Sequence, residues 1–94
     1  MVLKTTKQFK KDRKRVEKQG KDMTKLDAVV MLLLEEKELP KRYNVHALTG
    51  NLLGYFDLHI EPDWLLIYTY TEDDDLELVE LKLVMTGSHS HLFG

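Results

Sequence analysis

The sequence predicts an α+β fold in which an N-terminal helical hairpin packs on one face of a small antiparallel β-sheet. Two patterns in the 94-residue chain support this prediction. Apolar residues first recur at three- and four-residue spacing, as in helices, and later alternate with polar residues, as in strands. Short connections join these segments and no linker separates them. We therefore expect residues 1–94 to form a single domain around one core.

The N-terminal part predicts one short strand and two helices. Residues 2–4 suit a strand, and the first helix should span residues 6–19, with a threonine as its cap and Gly20 just beyond its end. The second helix should begin at the cap Asp22 and continue to about Lys37. Its wide apolar face is formed by residues at helical spacing: Met23, Leu26, Val30, Leu33 and Leu34.

The C-terminal part predicts an antiparallel meander of three strands over residues 52–60, 64–71 and 76–84. Pro62 marks the first turn, and the acidic run 72–75 should form the second because its charges disfavour pairing in a sheet. In the first strand the alternation separates two faces: Phe56, Leu58 and Ile60 on one, and Tyr55, Asp57 and His59 on the other. A glycine should end the sheet before the C-terminal tail.

The composition excludes several classes of protein. Apolar residues make up 43% of the chain and charged residues 32%, which is typical of a folded globular protein. The absence of cysteine excludes disulfides, thiolate metal ligands and a thiol nucleophile. The longest apolar run, residues 28–34, is too short to cross a bilayer, and the first residues do not resemble a signal peptide. We expect a cytoplasmic protein that does not insert into a membrane.

The charge is distributed unevenly along the chain. Residues 1–25 carry ten Lys/Arg and three Asp/Glu, whereas residues 26–94 carry four and thirteen. A basic segment of this kind is typical of a protein that binds a polyanion or an acidic partner. A basic helix face that simply contacts solvent explains the pattern equally well.

Histidines and aspartates gather in the C-terminal half, and three interpretations compete for them. They are surface residues without a role, or ligands of a metal ion, or groups for acid–base chemistry near neutral pH. Cleavage of RNA needs a base for the 2′-hydroxyl and an acid for the leaving 5′-oxygen, which histidine pairs can supply. Composition does not choose among the three. The residues concerned are His46, His59, His89, His91, Asp57 and Asp63.

Three sequence blocks point to a known family. They are HALTG at residues 46–50, DLHIEPDWLLIY at residues 57–68 and TGSHSHLF at residues 86–93. In this order and at this spacing the blocks resemble the YafQ branch of the RelE/ParE toxin superfamily. The basic helix before Gly20 and the apolar helix after it fit as well, so the resemblance covers nearly the whole chain.

The resemblance implies a toxin of a bacterial type II toxin–antitoxin system. Such a toxin is a ribosome-dependent endoribonuclease, or mRNA interferase, that cuts mRNA in the ribosomal A site. It needs no metal and no cofactor, because a ribose 2′-hydroxyl attacks its own 3′ phosphate. The implied partners are a cognate antitoxin of the DinJ/RelB type in a hetero-oligomer, the ribosome with its mRNA, and operator DNA through the antitoxin alone.

The resemblance also assigns roles to residues. His89 matches the histidine of T-G-S-H and is the best candidate for the general acid, because a mobile tail would let it reach the leaving group. His46, His59 and Asp63 match family positions and compete for the general base or a phosphate contact. Phe93 either stacks on a base or pins the tail to the core. A basic set is expected to contact ribosomal RNA: Lys10, Lys11, Arg13, Lys14, Arg15 and Lys18.

Two positions depart from the family pattern. Met85 stands where relatives carry the arginine that stabilises the phosphorane, and Phe56 replaces a second arginine. Met85 is in phase with the apolar residues before it and is either buried with them or directed toward the site. The activity would then be weakened, or another cation would substitute, with Lys82, Arg42 and Lys41 as candidates. The alternative function is a catalytically inactive toxin fold that acts only through antitoxin binding and operon repression.

Overall fold

The structure is a computed structural model that describes residues 1–73, 75 and 78–94. Two helices pack on a five-stranded sheet, which confirms the predicted α+β class. The strand order is β1–β5–β4–β3–β2, with β1 parallel to β5 and the other pairs antiparallel. The elements in chain order are β1 (Val2–Thr5), α1 (Lys7–Lys18), α2 (Met23–Leu34), β2 (His46–Ala47), β3 (Phe56–Glu61), β4 (Trp64–Asp73), β5 (Leu78–Gly87) and α3 (His89–Phe93).

Both long helices begin as the sequence predicts. The Thr6 hydroxyl accepts the N–H of Phe9 at 2.9 Å, and the Asp22 carboxylate accepts the N–H of Thr24 at 2.9 Å. These caps satisfy amide groups that the first turn of a helix leaves unpaired. The second helix ends at Leu34, three residues before the predicted end, because Glu36 adopts a left-handed conformation with φ of 56°.

The predicted meander is present as β3, β4 and β5, and the sheet is larger than predicted. The strand predicted at residues 2–4 is confirmed as β1, which extends one residue further to Thr5. In contrast, β2 lies in a segment that the sequence predicts to be a loop. The prediction of a turn over the acidic residues 72–75 is wrong in part, because Glu72 pairs with Val79 inside the hairpin of β4 and β5. Its side chain is exposed and therefore keeps its hydration. Residues 74, 76 and 77, which belong to that turn and to the predicted start of the third strand, lie outside the described residues.

The core lies between the helices and one face of the sheet. This helix face of the sheet carries Leu58, Leu66 and Leu83, which pack with Leu26 and Val16 from the two helices. Each of these side chains is at most 2% exposed. Burial on this scale is the main favourable contribution to folding.

A β-bulge in β5 decides which side chains face the helices. Tyr68 of β4 lies opposite Leu83, and its neighbour Ile67 lies opposite Met85, so Val84 is an extra residue. One extra residue reverses the alternation of side chains beyond it. Met85 therefore leaves the phase of Leu83 and faces away from the helices. Of the two alternatives for Met85, packing with Leu81 and Leu83 is wrong for this reason, and the side chain lies on the other face of the sheet.

Beyond the end of β1, side chains at the start of α1 and within it form hydrogen bonds with backbone groups on the open edge of β5. The Thr6 hydroxyl donates to the carbonyl of Val84 at 2.6 Å. Further along, the Asp12 carboxylate accepts the N–H of Thr86 at 3.1 Å, and Arg15 donates to the carbonyl of Thr86 at 2.8 Å. Asp12 is fully buried and forms an ion pair of 2.6 Å with Arg15. The N-terminal helix thus holds the strand end that leads into α3.

In the part of the chain that the structure describes, no helix is long and apolar enough to cross a membrane.

Candidate active site

The functional candidates lie on the sheet face that the helices do not cover, here called the histidine face. Strand register places His46, Asp57, Ile67 and Met85 side by side in one row across β2, β3, β4 and β5. The adjacent row contains His59, Leu65 and Gly87. Ile67 and Leu65 are fully buried although they lie outside the helix-face core. The central strand therefore gives this face an apolar floor, and the flanking strands and turns carry the titratable side chains.

Two predicted histidines form a close pair. The Nε2 atoms of His59 and His89 lie 3.4 Å apart, and the ring centroids are separated by 5.3 Å. His59 projects from β3, and His89 is the first residue of α3, directly after the end of β5. The Ser88 hydroxyl caps this short helix by accepting the N–H of His91 at 3.1 Å. The turn from strand into capped helix is what directs His89 toward His59.

Asp63 fixes the orientation of His89. Its Oδ1 accepts the backbone N–H of His89 at 2.9 Å and lies 2.7 Å from ring Nδ1. These two hydrogen bonds, the backbone one first, hold the pKa of Asp63 below its usual value. The sequence predicts a His89 that swings on a mobile tail, whereas the structure shows a residue whose backbone N–H and ring are both bound to the carboxylate of Asp63.

With both rings neutral, the contacts around Asp63 imply one set of proton positions in this chain of groups. An ionised Asp63 is acceptor-only, so the proton of a neutral His89 lies on Nδ1 and its Nε2 is left as an acceptor. His59 then donates from its own Nε2, and its Nδ1 becomes an acceptor. That Nδ1 atom is buried without a hydrogen-bond partner among the described residues. A carboxylate behind a histidine sets the ring tautomer in many catalytic sites.

A second pair of aspartate and histidine lies on the other side of His59. His46 Nδ1 is 3.5 Å from Asp57 Oδ1, and the His46 ring is 6.3 Å from the His59 ring. The His46 side chain is about half exposed, at 56%, whereas that of Asp57 is 10% exposed. The Oδ1 atom of Asp57 has no hydrogen-bond partner in the described residues. The structure thus places two histidines, each backed by an aspartate, on either side of a third.

The remaining site predictions fall outside this cluster. Phe93, the last residue of α3, is 49% exposed and does not belong to the core. Four of the predicted basic residues on α1 are exposed: Lys10, Lys11, Lys14 and Lys18. Arg13 pairs with Asp27 of the second helix at 3.1 Å, and Arg15 is bound to Asp12 inside the fold.

Asp12 and Arg15 are residues whose position sequence reasoning missed. Asp12 lies 3.6 Å from Nε2 of His91, and Arg15 lies so close to Gly87 that a Cβ there would come within 2.7 Å of the guanidinium. A signal for Asp12 was present in the sequence. It stands three residues after Phe9 and four before Val16, and this spacing puts it on the buried side of the helix.

A cleft of about 510 Å³ opens beside His59. It lies between the 3-10 turn Lys41–Tyr43 and the end of β3, beyond the short edge strand β2. Its walls are formed by Arg42, Asn44, His59, Ile60, Glu61 and Pro62. This volume is typical of small-ligand sites.

Sequence comparison places the chain in a family. All of residues 1–94 match the family described as bacterial toxin of type II toxin–antitoxin system, YafQ. The chain belongs to the YafQ family of toxins. The mRNA interferase toxin YafQ of Escherichia coli strain K12 is 44% identical over 88 residues, which cover 93% of this chain and 89% of that protein.

Solved structures agree with the family assignment. The crystal structure of YafQ from E. coli strain BL21(DE3) superposes with a TM-score of 0.87 at 39% identity, covering 98% of this chain and 97% of that one. YafQ in the E. coli DinJ–YafQ complex superposes with a TM-score of 0.85 at 40% identity and the same coverage. These matches confirm that the helices and the five-stranded sheet form the YafQ toxin fold.

Proposed function

We propose that this YafQ family toxin is an endoribonuclease that cuts mRNA in the ribosomal A site without a metal ion. The proposal rests on the arrangement of three histidines and two aspartates on the histidine face. The toxin acts in the bacterial cytoplasm and arrests translation. A DinJ-like antitoxin binds and inhibits it, and the complex contacts operator DNA through the antitoxin. The DinJ–YafQ complex of E. coli supports this partner.

The geometry supports specific roles in the reaction. A ribose 2′-hydroxyl attacks the adjacent phosphorus and forms a 2′,3′-cyclic phosphate, and the bond from phosphorus to the 5′-oxygen breaks. His46, exposed and backed by Asp57, takes the proton from the 2′-hydroxyl. His89, doubly protonated and held at Nδ1 by Asp63, gives its Nε2 proton to the leaving 5′-oxygen. His59 lies between the two and contacts His89 directly. Asp63 is therefore a positioning residue rather than the base.

Substitution of the acid and its carboxylate tests this proposal. His89→Ala and Asp63→Ala should each reduce mRNA cleavage on programmed ribosomes by roughly 10²- to 10⁴-fold, the usual contribution of general acid–base catalysis. Both variants should remain folded, with melting temperatures only slightly below that of the wild type, because the two side chains are exposed and lose only the hydrogen bonds between Asp63 and His89. His91→Ala is the matched histidine control and should remain active. Cleavage that a chelator abolishes and zinc restores would contradict the mechanism.

The exposed lysines of α1 form the proposed ribosome-binding surface, here the lysine face, of Lys10, Lys11, Lys14 and Lys18. Reversing the charge at Lys11, Lys14 and Lys18 should lower co-sedimentation with ribosomes and weaken its dependence on salt. The fold should be unaffected, since these side chains contact solvent. Unchanged co-sedimentation would show that the lysine face serves another partner.

Met85 supports a second candidate function. A thioether offers no donor to a phosphate, so the position where relatives carry arginine lacks its cation. The second candidate is a toxin fold that has lost catalysis and acts by antitoxin binding and operon repression. Antitoxin binding without any cleavage by the wild-type toxin on ribosomes would select this candidate.

A further inference from the structure

The cleft beside His59 contains a positive charge, that of Arg42, which is not paired with a carboxylate in the described part of the chain. Arg42 donates to the hydroxyl of Tyr43 at 3.2 Å, and its guanidinium carbon lies 4.9 Å from the centre of the Tyr43 ring. Tyr43 itself is 6% exposed and belongs to the core. In the described part of the chain no carboxylate lies within ion-pair distance of Arg42. Its charge is thus held against a fixed ring and is available to an anion.

The local backbone keeps Arg42 at the cleft. Asn44 ends the 3-10 turn in a left-handed conformation, with φ of 48°, which asparagine tolerates better than most residues. The chain then turns back into β2, which pairs with Asp57 and Phe56 of β3. Among the described residues, no strand lies beside the outer edge of β3 from His59 onward, and the cleft occupies this space.

The carboxylate in the cleft does not cancel this charge. Glu61 accepts hydrogen bonds from Lys25 at 2.9 Å and Lys21 at 3.2 Å, and these bonds hold its pKa below the usual range. Counting Arg42, three cations face one carboxylate around the cleft. The other nearby acid, Asp63, is engaged by His89. The charge balance favours an anionic ligand.

We infer that Arg42 and the cleft beside His59 form a binding site for a phosphate group of the RNA backbone, in a chain where Met85 has removed the family cation from the histidine face. The inference rests on the proposed ribonuclease function and names the group that holds the RNA next to His59. A planar guanidinium offers two parallel donors to phosphate oxygens, which a lysine cannot match.

The other candidates for a substitute cation fit less well. Lys82 lies opposite Thr69, two residues along β4 from the row of Met85, and Lys41 does not line the cleft.

The test is a salt titration with a short single-stranded RNA that carries 2′-O-methyl groups and cannot be cleaved. Arg42→Gln should weaken binding by roughly tenfold to a hundredfold, the usual cost of a hydrogen bond to a charged group. The slope of log K against log salt should fall by about 0.7, as expected for one phosphate contact to a single strand. The RNA affinity of Arg42→Lys should lie between those of the wild type and Arg42→Gln, since the point charge of lysine lacks the paired donors of arginine.

The matched control is Lys41→Gln, which removes the neighbouring cation outside the cleft. It should leave the binding constant within about twofold of wild type, because Lys41 does not contact the bound phosphate. Equal losses in Lys41→Gln and Arg42→Gln, or wild-type binding by Arg42→Gln, would overturn the inference. The result is separable from the proposed function: cleavage by the wild-type toxin on ribosomes tests the reaction, and the uncleavable RNA tests the cleft.

Discussion

The two faces of the sheet are built from the same strands but differ in what covers them. The helix face is mostly apolar, with the buried Asp12 and Thr86 as polar exceptions, and is closed by α1 and α2. The histidine face has an apolar floor only along the central strand, where Leu65 and Ile67 are fully buried, and carries titratable groups on both sides. A strand buried on both faces appears in a sequence as a continuous apolar run, which is what residues 64–68 show. The titratable groups of the histidine face therefore lie on the flanking strands and their turns, where the sheet is not buried on both sides.

Because of the bulge at Val84, the apolar residues of β5 lie on the helix face before the bulge and on the histidine face after it. Before it, Leu81 and Leu83 contribute to the core. After it, Met85 joins the row of His46 and Asp57 on the histidine face. The strand then leads through Gly87 into the helix that carries His89. One inserted residue thus directs the end of β5 to the site.

The largest expected contrast is between two neighbouring residues of β3 on opposite faces. His59→Gln should reduce mRNA cleavage by about 10²-fold or more, because it removes the ring that contacts His89, and should leave the melting temperature unchanged. Leu58→Ala should instead lower the free energy of unfolding by about 2–5 kcal/mol through an unfilled cavity. Thermal melting and cleavage assays on both variants check this. A Leu58→Ala protein that keeps wild-type stability but no longer cleaves mRNA would contradict the prediction that the helix face serves stability and the histidine face serves cleavage.

The second comparison is between Met85 and Leu83, which lie on either side of the bulge. Met85→Arg should raise A-site cleavage by roughly a hundredfold, the typical effect of one donor that stabilises transition-state charge. The fold should tolerate it, since Met85 is partly exposed on the histidine face. Leu83→Arg is the control: it places an unpaired charge in the core and should cost about 3–5 kcal/mol of stability. A stable Met85→Arg protein that is no more active than wild type would refute the phosphate role of this position.

The smallest expected effect concerns pH. Because its hydrogen bonds with His89 lower the pKa of Asp63 in the folded state, the carboxylate stabilises the fold above its ordinary pKa of about 3.9. This contribution is lost as the pH falls through the lowered pKa. The difference in melting temperature between wild type and Asp63→Asn should therefore be constant near neutral pH and shrink below about pH 4. A difference that persists at lower pH would show that His89 is held by other contacts.

Much of this toxin could be predicted from local sequence signals. The helix caps at Thr6 and Asp22, the apolar faces and the three-strand meander follow from spacing and turn residues that act over a few positions. The resemblance to the YafQ family supplied His46, His59, Asp63 and His89 as candidates. The structure brings these four side chains to one face of the sheet.

Other features depend on contacts between distant segments. Asp12 is buried because β5 presents an unpaired amide at Thr86, 74 positions away. The strand at His46 forms because Asp57 and Phe56 lie beside it. Arg42 becomes part of a cleft with His59 only when its turn packs along β3.

The sequence by itself determined the fold class, the family and the identity of the titratable groups, because periodicity, caps and motifs are local properties of the chain. Tertiary structure alone decided their arrangement. The bulge at Val84 set the face of Met85, and a carboxylate 26 positions away fixed the ring of His89. A pattern with period two cannot show where one extra residue reverses it, since that depends on how two strands pair.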